Sequence, residues 1–143
     1  MAPKFAGLRE SLRVASIDGV GTKLMIDFAL TRHDTVASDL VNQCVNDIAV
    51  LGARPLFFLD YIGAEKLDPR VFNQLLPGCT KACRLAGCAL IGGETWQMPG
   101  MYRKGEYDLS GCLIGFFARA KLIEGRTITD CDVIRSPAPH DLH

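Results

Sequence analysis

A glycine-rich loop between a strand-like and a helix-like segment constrains this fold more than any other stretch. Residues 12–17 have the length and apolar character of a short strand, and residues 24–30 are apolar enough to begin a helix. Residues 17–23, between them, read Ile-Asp-Gly-Val-Gly-Thr-Lys. Alternate glycines let the backbone approach a bulky anion, and the following helix start adds a favourable dipole. Asp-Gly-x-Gly is equally typical of a plain tight turn, so the loop alone predicts either a phosphate site or a turn.

The second predicted helix, residues 38–51, has a polar side of unusual composition. Its apolar residues recur at 3.6-residue spacing, Ser38 is the candidate N-cap and Gly52 ends it. The opposite side carries carboxylates and amides without Lys, Arg or Glu: Asp39, Asn42, Gln43, Asn46 and, at its margin, Asp47. Such a stripe is usually the solvated face of a surface helix. Short oxygen donors also suit Mg²⁺, and Asp18 in the loop is a further candidate for the same ion.

The remaining segments complete the order strand, helix, helix, strand, helix, strand, strand. They are a buried strand at 54–62, a helix from Asp68-Pro69 to Ala86 that Pro77-Gly78 should kink or split, a strand at 88–91 that runs into the loop 92–95, and a strand at 109–118 with Gly111 and Gly115 as close-approach points. This order predicts an α+β fold of two layers, with helices on one face of a four-stranded mixed sheet. The strand at 54–62 is apolar at successive positions and no helix remains to cover it. We therefore expect a second copy of the chain to cover the other sheet face, giving a homodimer.

Composition excludes several classes of protein. A chain of 143 residues, 48% hydrophobic, is one domain's worth. Lys plus Arg and Asp plus Glu both number 16, so no net field favours nucleic acid or an anionic membrane. No apolar run is long enough to span a membrane, and the N-terminus lacks the apolar core of a signal peptide. We expect an arm at 1–11, a domain at 12–130 and a tail at 131–143.

The six cysteines and His33 are expected to be structural rather than chemical. Cys79, Cys83 and Cys88 lack the paired spacing of a zinc site, so small buried thiols in a reducing cytosol are the preferred interpretation. His33 lies in a polar break and is expected on a surface loop.

Three ordered stretches, taken together over about residues 14–130, resemble aminoimidazole ribonucleotide synthetase, also called phosphoribosylformylglycinamidine cyclo-ligase. They are Ser-Ile-Asp-Gly-Val-Gly-Thr-Lys at 16–23; Asp-Leu-Val, Cys-Val-Asn-Asp and Pro-Leu-Phe-Phe-Leu-Asp-Tyr within 39–61; and Gly-Cys-Ala-Leu-Ile-Gly-Gly-Glu-Thr, Met-Pro-Gly-Met-Tyr and Gly-Glu-Tyr-Asp-Leu within 87–109. The resemblance is to the N-terminal, ATP-binding domain. It implies a cytoplasmic enzyme of purine synthesis that uses ATP and Mg²⁺ to close the imidazole ring of formylglycinamidine ribonucleotide. It also implies a dimer through the sheets.

The resemblance assigns roles to particular residues. It implies Asp18, Asp39 and Asp47 as Mg²⁺ ligands and Lys23 and Glu94 as catalytic residues. It places Gly19, Gly21, Thr22, Lys23 and Asn46 along the phosphates, and Gly92, Gly93, Glu94 and Thr95 on the facing wall of the nucleotide site.

Two departures from the family pattern bear on activity. Trp96-Gln97 stands where the family usually has Ala-Glu, which removes a carboxylate. The family also continues into a second α/β domain that completes the ATP cleft, so either a separate chain supplies that half or the function differs. The alternatives are a non-catalytic dimerisation or nucleotide-binding module, or a relative of the same fold such as selenophosphate synthetase, thiamine-monophosphate kinase or a hydrogenase maturation factor.

Overall fold

The elements of the computed structural model, which describes residues 10–136, follow the predicted order. They are β1 (Ser11–Gly19), α1 (Lys23–Leu30), α2 (Val36–Ala49), β2 (Arg54–Ala64), α3 (Pro69–Ala86), β3 (Ala89–Gln97) and β4 (Tyr107–Ala118), followed by one 3-10 turn, Arg119–Lys121. The predicted arm at 1–11, apart from its last two residues, and the predicted tail from residue 137 onward lie outside the described residues.

The four strands form one mixed sheet in the order β1-β4-β2-β3. β4 is antiparallel to both β1 and β2, whereas β2 and β3 are parallel. In this register Asp18 of β1, Gly111 of β4, Asp60 of β2 and Gly93 of β3 lie in one row across the sheet. The prediction of a four-stranded mixed sheet is therefore confirmed.

Alternation along the strands places the helices on one face. In β4 every second residue is buried, with Tyr107, Leu109 and Leu113 among the core residues. Successive strand side chains point to opposite faces, so these residues meet the buried stripe of α2, made of Leu40, Val41, Cys44 and Ile48. At Gly111 the ring of Phe58 occupies the space that a side chain would need, which confirms a close-approach point there.

The opposite sheet face is apolar and only partly covered. Phe57 and Leu59 of β2 and Cys112 and Ile114 of β4 lie on this face and are half-buried, while Ile17 of β1 is 78% exposed. We name these five residues the open face. Its cover by a second copy of the chain stays a prediction.

One local prediction about α2 is wrong, and one about α3 is wrong in part. Ser38 does not cap α2, which begins at Val36; its hydroxyl instead donates to the carbonyl of Gly78, 2.9 Å away. The two helices approach closely here because Gly78 has no side chain: a Cβ atom would come within 2.8 Å of the Asp34 carbonyl oxygen. Of the two outcomes predicted for Pro77-Gly78, the split does not occur, because α3 continues to Ala86 with its buried stripe packed inward; the kink stays a prediction.

The capping predictions for α3 are confirmed at both ends. The Asp68 carboxylate accepts the backbone N–H of Arg70 at 2.8 Å, and Pro69 opens the first turn. Gly87 ends the helix in the left-handed region, at φ +74°.

His33 is buried rather than on a surface loop. Its side chain is 5% exposed, its Nδ1 lies 2.9 Å from the Tyr107 hydroxyl, and its backbone N–H donates to Gln74 Oε1. Thr31 ends α1 in the left-handed region, which turns the chain inward at this point. The prediction of a solvated loop misses this turn because Thr31 is not a residue type that usually adopts it.

All six cysteines are free thiols, but they are not all buried. Cys44, Cys79 and Cys83 are buried, Cys88 and Cys112 are half-buried, and Cys131 is exposed. The prediction of small buried thiols is wrong for Cys131. Among residues 10–136, no helix combines the length and apolar character needed to cross a bilayer.

Candidate functional site

The end of β1 turns directly into α1. Gly21 adopts φ +63°, a conformation that side-chain-bearing residues rarely adopt, so glycine is required by the backbone here. Thr22 then precedes the first residue of α1, Lys23, and its side chain makes no capping hydrogen bond. The N–H groups of Leu24 and Met25 donate to the carbonyls of Gly21 and Thr22, at 3.2 and 3.1 Å. The donors that this turn can offer to an anion are therefore the preceding N–H groups of Gly21, Thr22 and Lys23.

A cavity of about 240 Å³ lies between this turn and α2. Its lining residues come from both elements: Asp18, Gly19, Val20, Lys23, Asp39, Leu40 and Gln43. We call this cavity and its lining the β1 site. The part of the α2 polar stripe that contains Asp39 and Gln43 therefore faces the glycine loop. Three of the predicted site side chains, Asp18, Lys23 and Asp39, meet at this cavity.

Lys23 and Asp39 form an ion pair at the β1 site between Lys23 Nζ and Asp39 Oδ2. The two side chains are 34% and 40% exposed, so solvent screens part of their attraction. The pair holds the ammonium group beside the cavity. Asp18 is engaged differently, since its Oδ1 accepts the N–H of its own neighbour Gly19 at 2.8 Å. Its carboxylate is therefore the one in the cavity that is not paired with a cation among the described contacts.

Asp47 lies two helical turns from Asp39 on the same side of α2, where it meets β1. Its Oδ2 accepts a 2.6 Å hydrogen bond from the hydroxyl of the buried Ser16. Cys44 lies beneath, close to both Asp18 and Asp47; burial raises its pKa to about 11, and the two carboxylate charges add to that rise. The thiol is therefore protonated and serves as packing.

The other predicted phosphate and catalytic residues are not at the β1 site. Asn46 is exposed and does not line the cavity. Gly92, Gly93, Glu94 and Thr95 lie in β3, the opposite edge strand, roughly 14 Å away at three strand spacings. The prediction that they form a loop is wrong, because β3 continues its parallel pairing with β2 through Gln97. Within one chain they do not face the nucleotide loop.

The candidate metal ligands are not assembled into a closed cage. In the part of the chain that the structure describes, no group of three or more His, Cys, Asp or Glu side chains is placed to hold a metal ion. Asp39 and Asp47 already have partners, and Asp18 is the available carboxylate. Mg²⁺ that arrives with a triphosphate needs one or two protein carboxylates, because phosphate oxygens and water supply the rest. The donor set therefore fits Mg²⁺ bound to a nucleotide better than the bare ion.

Sequence reasoning assigned no role to Ser16, whose hydroxyl donates to Asp47. Ser16 precedes Asp18 by two residues, so strand alternation puts both on the helix-facing side; that spacing could have identified it. At the end of the opposite edge strand, β3, Gln97 Oε1 accepts the backbone N–H of Leu67 at 2.9 Å. A Gln or a Glu oxygen can equally accept such a bond, so the difference from the family pattern at this position is one of charge.

Comparison with known proteins gives a consistent result. Residues 8–117 match the family model described as AIR synthase related protein, N-terminal domain. The chain is 50% identical over 135 residues to the phosphoribosylformylglycinamidine cyclo-ligase of Anaeromyxobacter sp. (strain Fw109-5), an alignment that covers 94% of this chain and 39% of the relative. It is 52% identical over 136 residues to the enzyme of the same name from Pseudothermotoga lettingae, covering 95% and 40%. The chain thus spans about two fifths of the length of these curated relatives.

Solved structures share the fold at lower identity. Hydrogenase maturation protein HypE in complex with ATP superposes with a TM-score of 0.62 at 20% identity, over 87% of this chain and 35% of that one. T. maritima PurL complexed with AMPPCP gives 0.64 at 16% identity, over 80% and 18%. At these identities the likeness concerns the fold alone.

Proposed function

The chain belongs to the AIR synthase related family, as its N-terminal domain, and from this premise we propose that it is the nucleotide-binding half of a phosphoribosylformylglycinamidine cyclo-ligase. The reaction is the ATP-dependent closure of formylglycinamidine ribonucleotide to aminoimidazole ribonucleotide in purine biosynthesis. We place it in the cytoplasm, in keeping with six free thiols. The alternative is a non-catalytic dimerisation or nucleotide-binding module of the same fold.

The observation that carries the proposal is the convergence of Asp18, Lys23 and Asp39 on one cavity, where β1 turns into α1. In the proposed reaction ATP phosphorylates the formyl-amide oxygen, and an amidine nitrogen then displaces the phosphate as the ring closes. Such a transfer needs positioning and charge stabilisation more than covalent help from the protein.

The charged residues of the β1 site and the backbone of the adjoining turn each have a defined task in this proposal. Lys23 offsets phosphate charge, and Asp39 keeps its ammonium group at the cavity by the ion pair. The backbone at Gly21 and Thr22 donates N–H groups to phosphate oxygens. Asp18 would hold Mg²⁺, which supplies charge neutralisation on the triphosphate when bound.

The residues of β3 enter the proposal only through a second copy. Glu94 pairs in register with Tyr61 of β2, so the two side chains lie on the same side of the sheet. This is also the side on which the open face lies. A homodimer through the open face, with its two-fold axis along the strands, would bring one copy's β3 edge over the other's β1 edge. We propose that Glu94 and Gly92, Gly93 and Thr95 reach the nucleotide in this way. The part of the relatives that this chain does not cover, about three fifths of their length, would complete the enzyme.

A titration of the purified chain with ATP, with and without Mg²⁺, tests nucleotide binding. Binding should depend on Mg²⁺, and Asp18→Asn should weaken it by roughly 1–3 kcal/mol if a charged ligand is lost. Glu124→Gln is the matched control, because it removes the same charge from a side chain paired with Arg126 outside the β1 site, and its affinity should be unchanged. Absence of Mg²⁺-dependent binding at millimolar ATP would leave the non-catalytic module.

The dimer is tested separately by the mass in solution, measured by light scattering. Twice the chain mass of 15.6 kDa is expected. Ile17→Asp, on the open face, should shift the mass to that of the monomer, because a charge there cannot be buried against an apolar partner. A monomeric wild-type chain would refute the dimer and leave the nucleotide proposal standing.

A further inference from the structure

Two cysteines meet where α3 ends and β3 begins. The Cys88 N–H donates to the Cys83 carbonyl at 2.9 Å, and the Gly87 N–H donates to the Arg84 carbonyl. With Gly87 in the left-handed region, this is the hydrogen-bond pattern of a Schellman motif. That motif brings the side chains on either side of the turn into contact, and here both are thiols.

A third thiol extends the pair into the core. Cys79 lies one helical turn before Cys83, and the two side chains are only 4% and 2% exposed, whereas Cys88 is half-buried. The Cys83 thiol lies within hydrogen-bonding reach of both Cys79 and Cys88. The three therefore form a line of contacts, with Cys88 as the member that solvent can reach.

Geometry decides which two of the three can be joined. A disulfide needs a Cβ–Cβ separation of about 3.5–4.5 Å. Residues four apart on a helix have Cβ atoms about 5–6 Å apart, which is too far for Cys79 and Cys83 without distortion. Cys83 and Cys88 are on the two sides of a turn that the backbone hydrogen bond already closes.

We propose that Cys83 and Cys88 form a reversible disulfide site whose oxidant is a small-molecule disulfide of the glutathione class. The Cys88 thiolate attacks one sulfur of the small disulfide, which forms a mixed disulfide on Cys88 and releases one small thiol after proton uptake. The Cys83 thiolate then attacks the Cys88 sulfur, which closes the protein disulfide and releases the second small thiol. Two protein thiols are oxidised, and one disulfide is reduced to two thiols.

The surroundings make this a slow modification site rather than a fast catalyst. Burial, followed by the neighbouring Cys83, raises the pKa of Cys88 to about 12. The hydrogen bond with Cys79, followed by burial, raises the pKa of Cys83 further still, so little of either thiolate exists at neutral pH. Metal binding does not account for the cluster, because within residues 10–136 no group of three such side chains is placed to hold an ion. Covalent sulfur chemistry is what the contact between Cys83 and Cys88 supports.

The test uses the full chain incubated with oxidised glutathione at mildly alkaline pH, then quenched with acid, alkylated and mapped by peptide mass spectrometry. We expect one cross-link, Cys83 to Cys88, and loss of the two thiols that it joins, in addition to any glutathione adduct on the exposed Cys131. Dithiothreitol should restore all of them. Cys131→Ser, which removes the exposed thiol, should leave the cross-link unchanged.

Two variants separate the steps. Cys83→Ser should accumulate a stable glutathione adduct on Cys88, because the resolving thiol is gone. Cys88→Ser should leave Cys83 and Cys79 unmodified, because neither is accessible. Three outcomes would each overturn the proposal: a persistent adduct on Cys88 in the wild-type chain, a bond that involves Cys79, or unmodified Cys83 and Cys88 thiols after prolonged incubation. All three are read from the wild-type chain, so the test does not depend on whether a variant folds.

Discussion

The turn after β1 and the glycine stretch in β3 are built from similar residues, yet the first ends a strand and the second continues one. Each has glycines, a carboxylate and a threonine after an apolar segment. After β1, Gly21 turns the chain out of the sheet and into α1. In β3, Gly92 and Gly93 stay in the strand, paired with Leu59 and Asp60 of β2. A neighbouring strand, rather than local composition, decides whether glycines end a strand.

The reason for glycine also differs between the two places. No atom lies within 4 Å of where a Cβ would stand at Gly21, so only its backbone angle requires glycine. At Gly93 a Cβ would overlap the backbone carbonyl and the carboxylate of Asp60. Gly93 therefore permits β2 and β3 to pack closely, which is a structural requirement independent of any ligand.

The largest expected effect follows from this contrast. Gly93→Ala should lower the free energy of unfolding by about 3 kcal/mol, because the overlapping atom belongs to the backbone and cannot rotate away. Gly21→Ala should cost about 1 kcal/mol, the price of an unfavourable backbone angle alone. Urea unfolding of both variants measures the difference. Equal losses would show that β3 moves freely away from β2.

The next effect compares two carboxylates: Asp47, which accepts from a buried hydroxyl, and Glu94, which accepts from the backbone of its neighbour. Ser16→Ala removes the hydroxyl that donates to Asp47 and should cost about 1.5 kcal/mol of stability, somewhat below the usual value for a buried bond to a charge, because Asp47 can regain water. Glu94→Gln in β3 should change stability by less than about 0.5 kcal/mol, since Glu94 is exposed and, among residues 10–136, accepts a hydrogen bond from its neighbour Thr95 alone. Thermal unfolding distinguishes the two. A larger loss for Glu94→Gln would mean that the β3 edge is already engaged.

A smaller effect concerns pH. Burial raises the pKa of Asp60 above its ordinary value, so the folded state binds this proton more tightly than the unfolded chain. Its contribution to the free energy of unfolding therefore decreases as pH rises from the ordinary carboxylate pKa through the raised value. Asp60→Asn should remove this dependence and be stabilising at pH 7 by up to about 1 kcal/mol.

The control for Asp60 is a carboxylate with the opposite shift. The hydrogen bond from Arg32 lowers the pKa of the exposed Asp34, so its contribution is present above the ordinary pKa and is lost as pH falls. Unfolding curves of Asp60→Asn and Asp34→Asn at several pH values should differ from wild type in opposite directions. The same direction for both would contradict the assignment of burial as the cause at Asp60.

The same contrast explains what sequence could and could not predict. Element order and the mixed sheet follow from periodicity and caps, because Asp68-Pro69 and Gly87 carry their signals locally. The β1 site could be predicted in part from the sequence, because Asp39 lies on the polar stripe of α2 and that stripe can face Asp18. The extent of β3 and the buried position of His33 do not follow, because they depend on β2 and Tyr107, which are distant in the sequence.

The smallest expected effect is the coupling between Lys23 and Asp39, and it tests whether the β1 site is built for stability or for a ligand. A double-mutant cycle with Lys23→Met and Asp39→Asn should give a coupling energy of about 0.5 kcal/mol in unfolding, reduced at high salt, because both side chains are more than a third exposed. Such a pair contributes little to the fold, so its placement has to be explained by what it holds. If the ammonium meets phosphate, the Lys23→Met loss in Mg²⁺-ATP affinity should exceed this coupling energy. A coupling energy of several kcal/mol with no change in nucleotide affinity would instead make the pair a structural clamp between α1 and α2.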